Sequence, residues 1–333
     1  MPAKVRFFIP ISDAVFTSVP ESIDAYWQWQ TAAAGLHEYW GKYHWVLQTY
    51  LYLKAAGIGV ELVNRLPPEG ILISHMDCLE YGLKPGRKLF LVVLLVDREY
   101  PHPYAQFHVT HNPVQKLPLG LAQQYMPPWP QVGLIPRDAS RGDRFDTIGY
   151  FGYPRNLDAQ LTSPAFRARL ASLGLSITVP APADWHDFSG IDAILAIRSF
   201  GNHPQLNKPS LKLYNAWLAR TPALLGHETS YRAEGRPGID YLETATIEAV
   251  HEALQRLKSD ALFRRSLVAE GDSAVARFRP EKTVQRWTDF LREEIEPRYR
   301  LWQQRPMHRL AHRLTGSIKE RVFWRRPGWF GQL

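Results

Sequence analysis

The stretch from Ala193 to Gly226 constrains the fold more than any other part of this 333-residue chain. It begins with the apolar run AILAI, which is typical of a buried strand. A helix is predicted next, because Pro209 suits a first helical turn and apolar residues then recur at three- and four-residue spacing. The run ALLG at 223–226 has the pattern of another buried strand. Strand, helix and strand in this order predict a parallel βαβ unit.

The same alternation of apolar runs and helical patterns extends along the whole chain, and it predicts an α/β protein with two parallel sheets. Strands are predicted at 5–9, 60–63, 70–74, 88–96 and 107–110, and again at 145–151, 175–179, 191–197, 223–226 and 241–242. A chain of this length is too long for one ordinary core.

The domain boundary is predicted near residue 145. Five prolines between Leu117 and Arg144 interrupt all periodicity there. We therefore expect an N-terminal domain at 1–144, a second domain at 145–296 and a C-terminal tail at 297–333.

The tail is basic, whereas the rest of the chain is neutral on balance. Residues 297–333 carry nine Lys or Arg side chains and one Glu, a surplus equal to the net charge of +8 for the whole chain. This distribution favours an anionic partner for the tail alone. Nucleic acid is a disfavoured partner, because no nucleic-acid-reading motif accompanies the basic residues.

The apolar residues of the tail fall on one helical stripe. They are Met307, Leu310, Leu314, Ile318 and Val322, with Trp324, Trp329 and Phe330 after them and Arg305, Arg309, Arg313, Lys319 and Arg326 around them. Two predictions stay open for this tail. One is an interfacial helix on anionic lipid, and the other is a helix packed back on the first domain.

Several classes of protein are excluded or disfavoured by what the sequence lacks. No apolar run approaches the ~18 residues that a membrane-spanning helix needs. The single cysteine, Cys78, excludes an internal disulfide and suggests a reducing compartment. The N-terminal segment does not have the pattern of a signal peptide, so a cytoplasmic location is expected. The motifs GxxxxGK[ST], GxGxxG, HExxH and GxSxG are absent, which disfavours P-loop, dinucleotide-binding, zincin and α/β-hydrolase enzymes.

The start of the predicted helix after Pro209 has the chemistry of an anion site. Free N–H groups and the helix dipole favour an anion at such a position. Lys208, Ser210 and Lys212 add two cations and a hydroxyl within about one turn, and Arg198 follows the preceding strand. A diphosphate fits this set of partners. The alternative is a solvated basic helix start.

The residues of this region resemble the GT-B glycosyltransferases. The match is KPSLKLYNAWLARTPALLGHETSY at 208–231, then IDYLE, then a helical run ending in RWTDFL, and it covers mainly residues 145–291. The resemblance implies two Rossmann-like domains facing a central cleft, with a C-terminal helical extension.

The resemblance also implies roles for particular residues. Arg198, Lys208, Ser210 and Lys212 would grip the diphosphate of a nucleotide sugar. Asn215 stands where many relatives carry a Glu that contacts the ribose, so Glu228 becomes the candidate for the ribose or sugar contact. Ser230 is a further candidate substrate-binding residue. Tyr231 either stacks on the base or is buried in the core.

The implied function is transfer of a sugar from a nucleotide-diphosphate donor to a glycan or lipid-linked acceptor, at the inner face of the membrane, with neither metal nor cofactor. The alternatives are a sugar-nucleotide epimerase of similar fold and a non-catalytic, membrane-associated binding protein. The sequence leaves the sugar, the base, the acceptor and the stereochemical outcome open.

Candidate residues for the remaining chemistry lie at predicted strand ends, where parallel sheets bind ligands. Asp13 is the first candidate for a catalytic base, followed by His111 and His75. The alternatives are that Asp13 caps a helix and that both histidines are structural. Tyr153 and Arg155 follow the first strand of the second domain, where they either contact the nucleotide sugar or form an ordinary loop.

Overall fold

The computed structural model describes residues 4–32, 43–201 and 203–324. The chain divides into two compact units: unit 1 comprises Met1–Trp129 and Pro280–Leu333, and unit 2 comprises Pro130–Arg279. The predicted boundaries at 144 and 296 differ from these. The reason is long-range packing, because Trp287 is fully buried with its ring 6.5 Å from that of Phe7, so the helical residues after 279 belong to the core of unit 1.

Unit 1 is built on a six-stranded sheet in which every paired strand runs parallel. The strands are β1 (Val5–Phe8), β2 (Val60–Val63), β3 (Glu69–His75), β4 (Lys88–Leu94), β5 (Phe107–Thr110) and β6 (Gln123–Tyr125). Their order in the sheet is β2-β1-β3-β4-β5-β6. The five strands predicted in this half are confirmed, whereas β6 lies inside the proline-rich stretch and was not predicted.

Unit 2 holds a five-stranded sheet, again parallel throughout. Its strands are β7 (Thr147–Gly149), β8 (Ser176–Thr178), β9 (Ala193–Ala196), β10 (Ala223–Leu225) and β11 (Leu242–Glu243). The order is β11-β10-β9-β7-β8. The βαβ unit predicted from Ala193 to Gly226 is confirmed, because β9 and β10 are adjacent, parallel and fully buried.

Helices connect and flank the strands of both units. The α-helices are α1 (Asp13–Thr17), α2 (Ile23–Ala32), α3 (Gln48–Ala55), α4 (Ala159–Thr162), α5 (Pro164–Ser172), α6 (Leu211–Leu218), α7 (Thr229–Glu234), α8 (Ile247–Ser259), α9 (Ala261–Val275), α10 (Pro280–Asp289), α11 (Glu296–Gln304) and α12 (Pro306–Trp324). Single π-helical turns precede α3 at Tyr43–Leu47 and follow α10 at Phe290–Ile295.

The amino ends of β7 and β9 are joined by a buried carboxylate. Asp192, whose side chain is fully buried, accepts hydrogen bonds from Arg137 and Arg141. It also accepts the backbone N–H groups of Asp146 and Thr147, at 2.8 and 3.0 Å. The charge is thus fully hydrogen-bonded, which is the condition under which a carboxylate can remain buried.

The last helix, α12, packs against unit 1 through one face. The Tyr104 hydroxyl donates to Glu320 at 2.6 Å, and the His312 ring donates to the Tyr104 carbonyl oxygen at 3.1 Å. Gly316 is buried on Tyr104, since a Cβ there would come within 2.4 Å of the ring. Packing on the first domain is therefore confirmed for this part of the tail. Residues 325–333, which include Trp329 and Phe330, and the side chain of Trp324 lie outside the described part.

The apolar stripe predicted for the tail lies on α12 and is exposed to solvent. Within the described residues, no helix combines the length and the apolar content needed to cross a bilayer.

Replacing Asp192 with Asn is expected to destabilise the protein by about 3 kcal/mol, because Arg137 and Arg141 lose a buried counter-charge. The free energy of unfolding in urea measures this loss. Asp272→Asn is the control, since Asp272 pairs with Arg220 at the surface and its loss should cost about 1 kcal/mol or less. Equal losses in the two variants would contradict the structural role of Asp192.

Candidate functional site

The order of strands in unit 2 creates a switch point, the position at which open α/β sheets generally bind ligands. From β7 the chain moves outward to β8 on one side, whereas β9, β10 and β11 follow one another on the other side. The loops after β7 and β9 therefore lead away in opposite directions, and a crevice forms beyond their carboxyl ends. Open α/β sheets bind ligands at such a switch point. Tyr150 to Tyr153 and Ile197 to Ser199 are the residues that follow these two strands.

A buried ion pair lies at this crevice. Arg198, the second residue after β9, donates through Nη1 to both carboxylate oxygens of Glu228. Glu228 follows β10 and precedes α7, and its side chain is only 3% exposed, against 22% for Arg198. The guanidinium is therefore held by a carboxylate from the neighbouring strand, with part of its surface open to solvent.

Tyr150 connects this pair to Lys212. The Lys212 ammonium lies 5.2 Å from the centroid of the Tyr150 ring, and it donates to the carbonyl oxygen of Phe151. Burial raises the pKa of Tyr150 to about 12, while the charge of Arg198 acts in the opposite direction. Lys212 thus lies against Tyr150 at the end of β7, and the charge of Arg198 also acts on the Tyr150 hydroxyl.

Gly152 makes this approach of Lys212 to Tyr150 possible. A Cβ at this position would lie 2.9 Å from the Tyr150 hydroxyl and 3.1 Å from the Lys212 nitrogen. Any larger residue would force one of the two side chains away from the backbone. Tyr150 and Gly152 could not be recognised from the sequence, because neither residue has a distinctive local pattern.

Ser210 and Lys208 lie at the start of α6. Ser210 occupies the N-cap position, and its carbonyl oxygen accepts the N–H groups of Leu213 and Tyr214. Its hydroxyl oxygen is buried without a hydrogen-bond partner in the described part of the chain. Lys208 is half-buried in the loop before the helix, where its N–H donates to Gln205. The helix start therefore presents a buried hydroxyl that has no hydrogen-bond partner among the described residues.

Three further predicted substrate-binding residues are buried. The side-chain oxygen of Asn215 accepts the backbone N–H of Gln131 at 3.0 Å, which ties the first residues of unit 2 to α6. Tyr231 is fully buried, so the core position that the sequence left as an alternative is the one observed. Burial, reinforced by the charge of Glu228, raises the pKa of the Tyr231 hydroxyl. Ser230 is also fully buried.

Tyr153 and Arg155 lie at the mouth of the loop after β7. Tyr153 is half-buried with its ring edge-on to Trp185, at 5.2 Å between centroids. The Arg155 guanidinium lies over the Tyr153 ring at 4.6 Å and is exposed. The pair presents an aromatic face and a cation to solvent, which suits either contact with a ligand or a simple loop cover.

Asp158 positions both loops of the crevice, and the sequence analysis missed it. Its carboxylate accepts the N–H of Phe200 at 3.1 Å and that of Gln160 at 2.9 Å, and its own N–H donates to Ile197. It therefore links the segments after β7 and β9. The sequence pattern that could have revealed it is an Asp directly before the helical residues Ala-Gln-Leu, which is typical of an N-cap.

In unit 1, Asp13 is an exposed first residue of α1. Ser12, not Asp13, caps the helix, and the Asp13 carboxylate accepts from Asn64 and Arg65, both at 2.7 Å. The hydrogen bond from Asn64, followed by the charge of Arg65, holds the pKa of Asp13 below its usual value. A carboxylate with a lowered pKa has a weak affinity for protons.

His111 is the first residue after β5, and one nitrogen of its ring has no hydrogen-bond partner among the described residues. Nδ1 lies 2.8 Å from the carbonyl oxygen of Met126, which can only accept, so Nδ1 carries the proton and Nε2 the lone pair. Nε2 is buried with no hydrogen-bond partner among the described residues. Burial lowers the pKa of His111 to about 3, so the ring is neutral. His75 differs, because both of its ring nitrogens are engaged, one with Val96 and the other with Asp77.

Comparison with known proteins places the fold. No protein-family model and no curated protein sequence matches this chain. Among solved structures, HepE from Anabaena, in complex with UDP and glucose, superposes over 87% of this chain and 100% of its own, with 11% identity and a TM-score of 0.50. TarM superposes over 73% of this chain with 6% identity and a TM-score of 0.49, and the chain spans 58% of its length.

The likeness to HepE extends over both units and agrees with two separate parallel sheets followed by terminal helices. The predicted α/β class with two Rossmann-like domains, the GT-B fold, and a C-terminal helical extension is thereby confirmed.

The variant Arg198→Met is expected to lower the free energy of unfolding by about 3 kcal/mol, because it leaves the Glu228 carboxylate buried without its counter-ion. Urea denaturation measures the loss, and adding Glu228→Gln should restore most of it. Arg232→Met is the matched control. Arg232 also pairs with a glutamate, Glu243, but is 48% exposed, so about 1 kcal/mol or less should be lost. A double variant less stable than Arg198→Met would refute this account.

Proposed function

We propose that the protein is a glycosyltransferase that moves a sugar from a nucleotide-diphosphate donor to a glycan or lipid-linked acceptor. The observation that carries the proposal is the pair of cations at the switch point of the second sheet: Lys212 lies on the Tyr150 ring after β7, and Arg198 follows β9 on Glu228. The start of α6 adds its N–H groups and the Ser210 hydroxyl, whose oxygen has no hydrogen-bond partner among the described residues. Because HepE was solved with UDP and glucose, UDP-glucose is the first donor to test.

The proposed chemistry follows from the charge that develops on the leaving group. As the bond between the sugar C1 and the diphosphate oxygen breaks, negative charge grows on the diphosphate. Arg198, Lys212 and the helix N–H groups are fixed before the reaction and stabilise that charge more strongly in the transition state than in the ground state. The new bond forms between C1 and an acceptor hydroxyl oxygen, whose proton must leave.

His111 is the first candidate in this proposal to accept that proton, ahead of Asp13. Its Nε2 carries the lone pair and has no other partner in the described chain. Its low pKa makes it a weak base in the resting protein, and the carboxylate of Asp97 acts against the effect of burial and favours the protonated ring. Asp13 is already engaged by Asn64 and Arg65.

The reaction is proposed to need no metal or other cofactor, because protein cations take the place that a divalent ion would have at the diphosphate. Activity that survives EDTA supports this part of the proposal, and activity that needs added Mg²⁺ or Mn²⁺ refutes it. A cytoplasmic location is proposed as well, since the single cysteine, Cys78, leaves the chain without an internal disulfide.

Lys212→Met is expected to weaken binding of UDP at least tenfold, as measured by isothermal titration calorimetry. Lys258→Met is the matched control. Lys258 donates to the carbonyl of Phe145, before β7, as Lys212 donates to that of Phe151, after β7. Both variants lose one lysine–carbonyl contact, but only Lys212 lies at the carboxyl end of the sheet. Equal affinities in both variants, or no binding of any nucleoside diphosphate by the unaltered protein, would count against the site.

Assays of the unaltered protein with and without an acceptor distinguish sugar transfer from epimerisation. With UDP-glucose alone, a transferase should show only slow hydrolysis, and addition of an acceptor should accelerate release of UDP. Conversion of the donor sugar into its epimer without an acceptor would favour the epimerase instead.

His111→Ala is expected to lower kcat about 100-fold, the typical contribution of a general base. His108→Ala is the control, because His108 is equally buried, with its pKa lowered to about 3 by burial, but lies within β5 rather than after it. The ring of His111 stays neutral from pH 5 to 8, so the pH profile of kcat/KM should show no limb from its titration. A larger loss in Asp13→Asn would assign the base to Asp13.

A further inference from the structure

The terminal helix α12 presents an apolar stripe to solvent along its whole length. Its members lie three or four residues apart and are between 46% and 73% exposed: Met307, Leu310, Leu314, Ile318 and Val322. At a rise of 1.5 Å per residue, the stripe is roughly 22 Å long. Single exposed apolar residues are ordinary, but a continuous apolar patch marks an interaction surface.

The orientation of this stripe is fixed by the opposite face of the same helix. His312, Gly316 and Glu320 recur every four residues and contact Tyr104. With about 100° of rotation per residue, these three lie roughly opposite the centre of the stripe. The helix is therefore docked on unit 1 through a small polar face, and its apolar face points outward because of that docking.

The charges around the stripe are of one sign. Arg305, Arg313 and Arg321 are exposed and make no ion pair in the described part of the chain. By helical geometry, Arg321 lies at the edge of the stripe and Arg313 on its flank. The single acidic residue of the helix, Glu320, is turned inward to the Tyr104 hydroxyl. No negative side chain of the helix therefore opposes an anionic partner at the stripe.

An apolar strip flanked by arginines matches the surface of an anionic bilayer. Apolar side chains enter the boundary between headgroups and acyl chains, while arginines on long stems stay at the level of the lipid phosphates. A neutral or basic protein partner would match the apolar strip alone, whereas anionic lipid matches both features.

We propose that α12 docks the protein on anionic membranes, with the apolar stripe from Met307 to Val322 inserted parallel to the surface and Arg313 and Arg321 against lipid phosphates. This inference concerns a surface separate from the crevice of unit 2, so it stands or falls independently of sugar transfer.

The test is co-sedimentation of the full chain with vesicles of phosphatidylcholine alone or of phosphatidylcholine with 30 mol% phosphatidylglycerol. Binding is expected on the anionic vesicles, weakening as salt rises from 0.1 to 0.5 M. Leu314→Glu with Ile318→Glu should lower the partition coefficient at least tenfold. The matched control is Leu262→Glu with Ile239→Glu, which adds the same charge at exposed apolar residues of unit 2 and should leave binding unchanged.

A charge variant separates the two components of binding. Arg313→Glu with Arg321→Glu should remove the preference for anionic vesicles and the salt dependence together. Thermal unfolding of all variants checks that the fold is kept. The unfolding midpoints should change little, because every replaced side chain is exposed.

Three results would overturn the proposal. The first is no binding to either vesicle, and the second is equal loss in the stripe and control variants. The third is a dimer of the unaltered protein, detected by light scattering, that the stripe variant does not form, with no vesicle binding by either protein. The stripe would then be an interface between copies of the chain.

Discussion

The buried ion pair between Arg198 and Glu228 is the interaction on which the arrangement of the candidate site depends. A carboxylate that is almost fully buried requires a counter-ion, and Arg198 is the side chain that reaches it from the neighbouring strand. The pair therefore fixes the guanidinium at the end of β9 before any ligand arrives. Glu228 offsets part of the positive charge of Arg198. In the proposed site, the electrostatic attraction of a diphosphate therefore comes from Arg198 together with Lys212 and the start of α6.

Much of the fold could be predicted from the sequence, because parallel strands that are buried on both faces consist of continuous runs of apolar residues. The runs that became β4 and β9 are examples. Strand β6 could not be recognised, since its three residues, Gln-Gln-Tyr, have no apolar run and lie among prolines. The return of the chain to unit 1 after residue 279 depends on contacts such as Trp287 with Phe7, which no local pattern contains.

The candidate site was predictable in its charges but not in its partners. The cations Arg198 and Lys212 follow from the strand end and the helix start, and both lie at the crevice. The sequence gives no sign that Glu228 would bind Arg198, since the two residues are 30 positions apart. Asn215 was assigned through resemblance to a ligand contact, whereas its side chain holds the backbone of Gln131. Side-chain pairing across the sheet is a tertiary property, and local propensity does not encode it.

The two ends of the second sheet differ in how completely their buried polar groups are hydrogen-bonded. At the amino ends, Asp192 is saturated by two arginines and two backbone N–H groups, so that end has no spare hydrogen-bonding capacity at its buried carboxylate. At the carboxyl ends, Ser210 keeps an unsatisfied hydroxyl among the described residues, and Arg198 is partly open to solvent. Buried polar groups without partners cost free energy, and a fold retains them where a ligand can supply the missing partner. The firmly bonded amino ends hold β7 and β9 in register, and that rigidity lets the loops at the opposite ends present their cations at fixed positions.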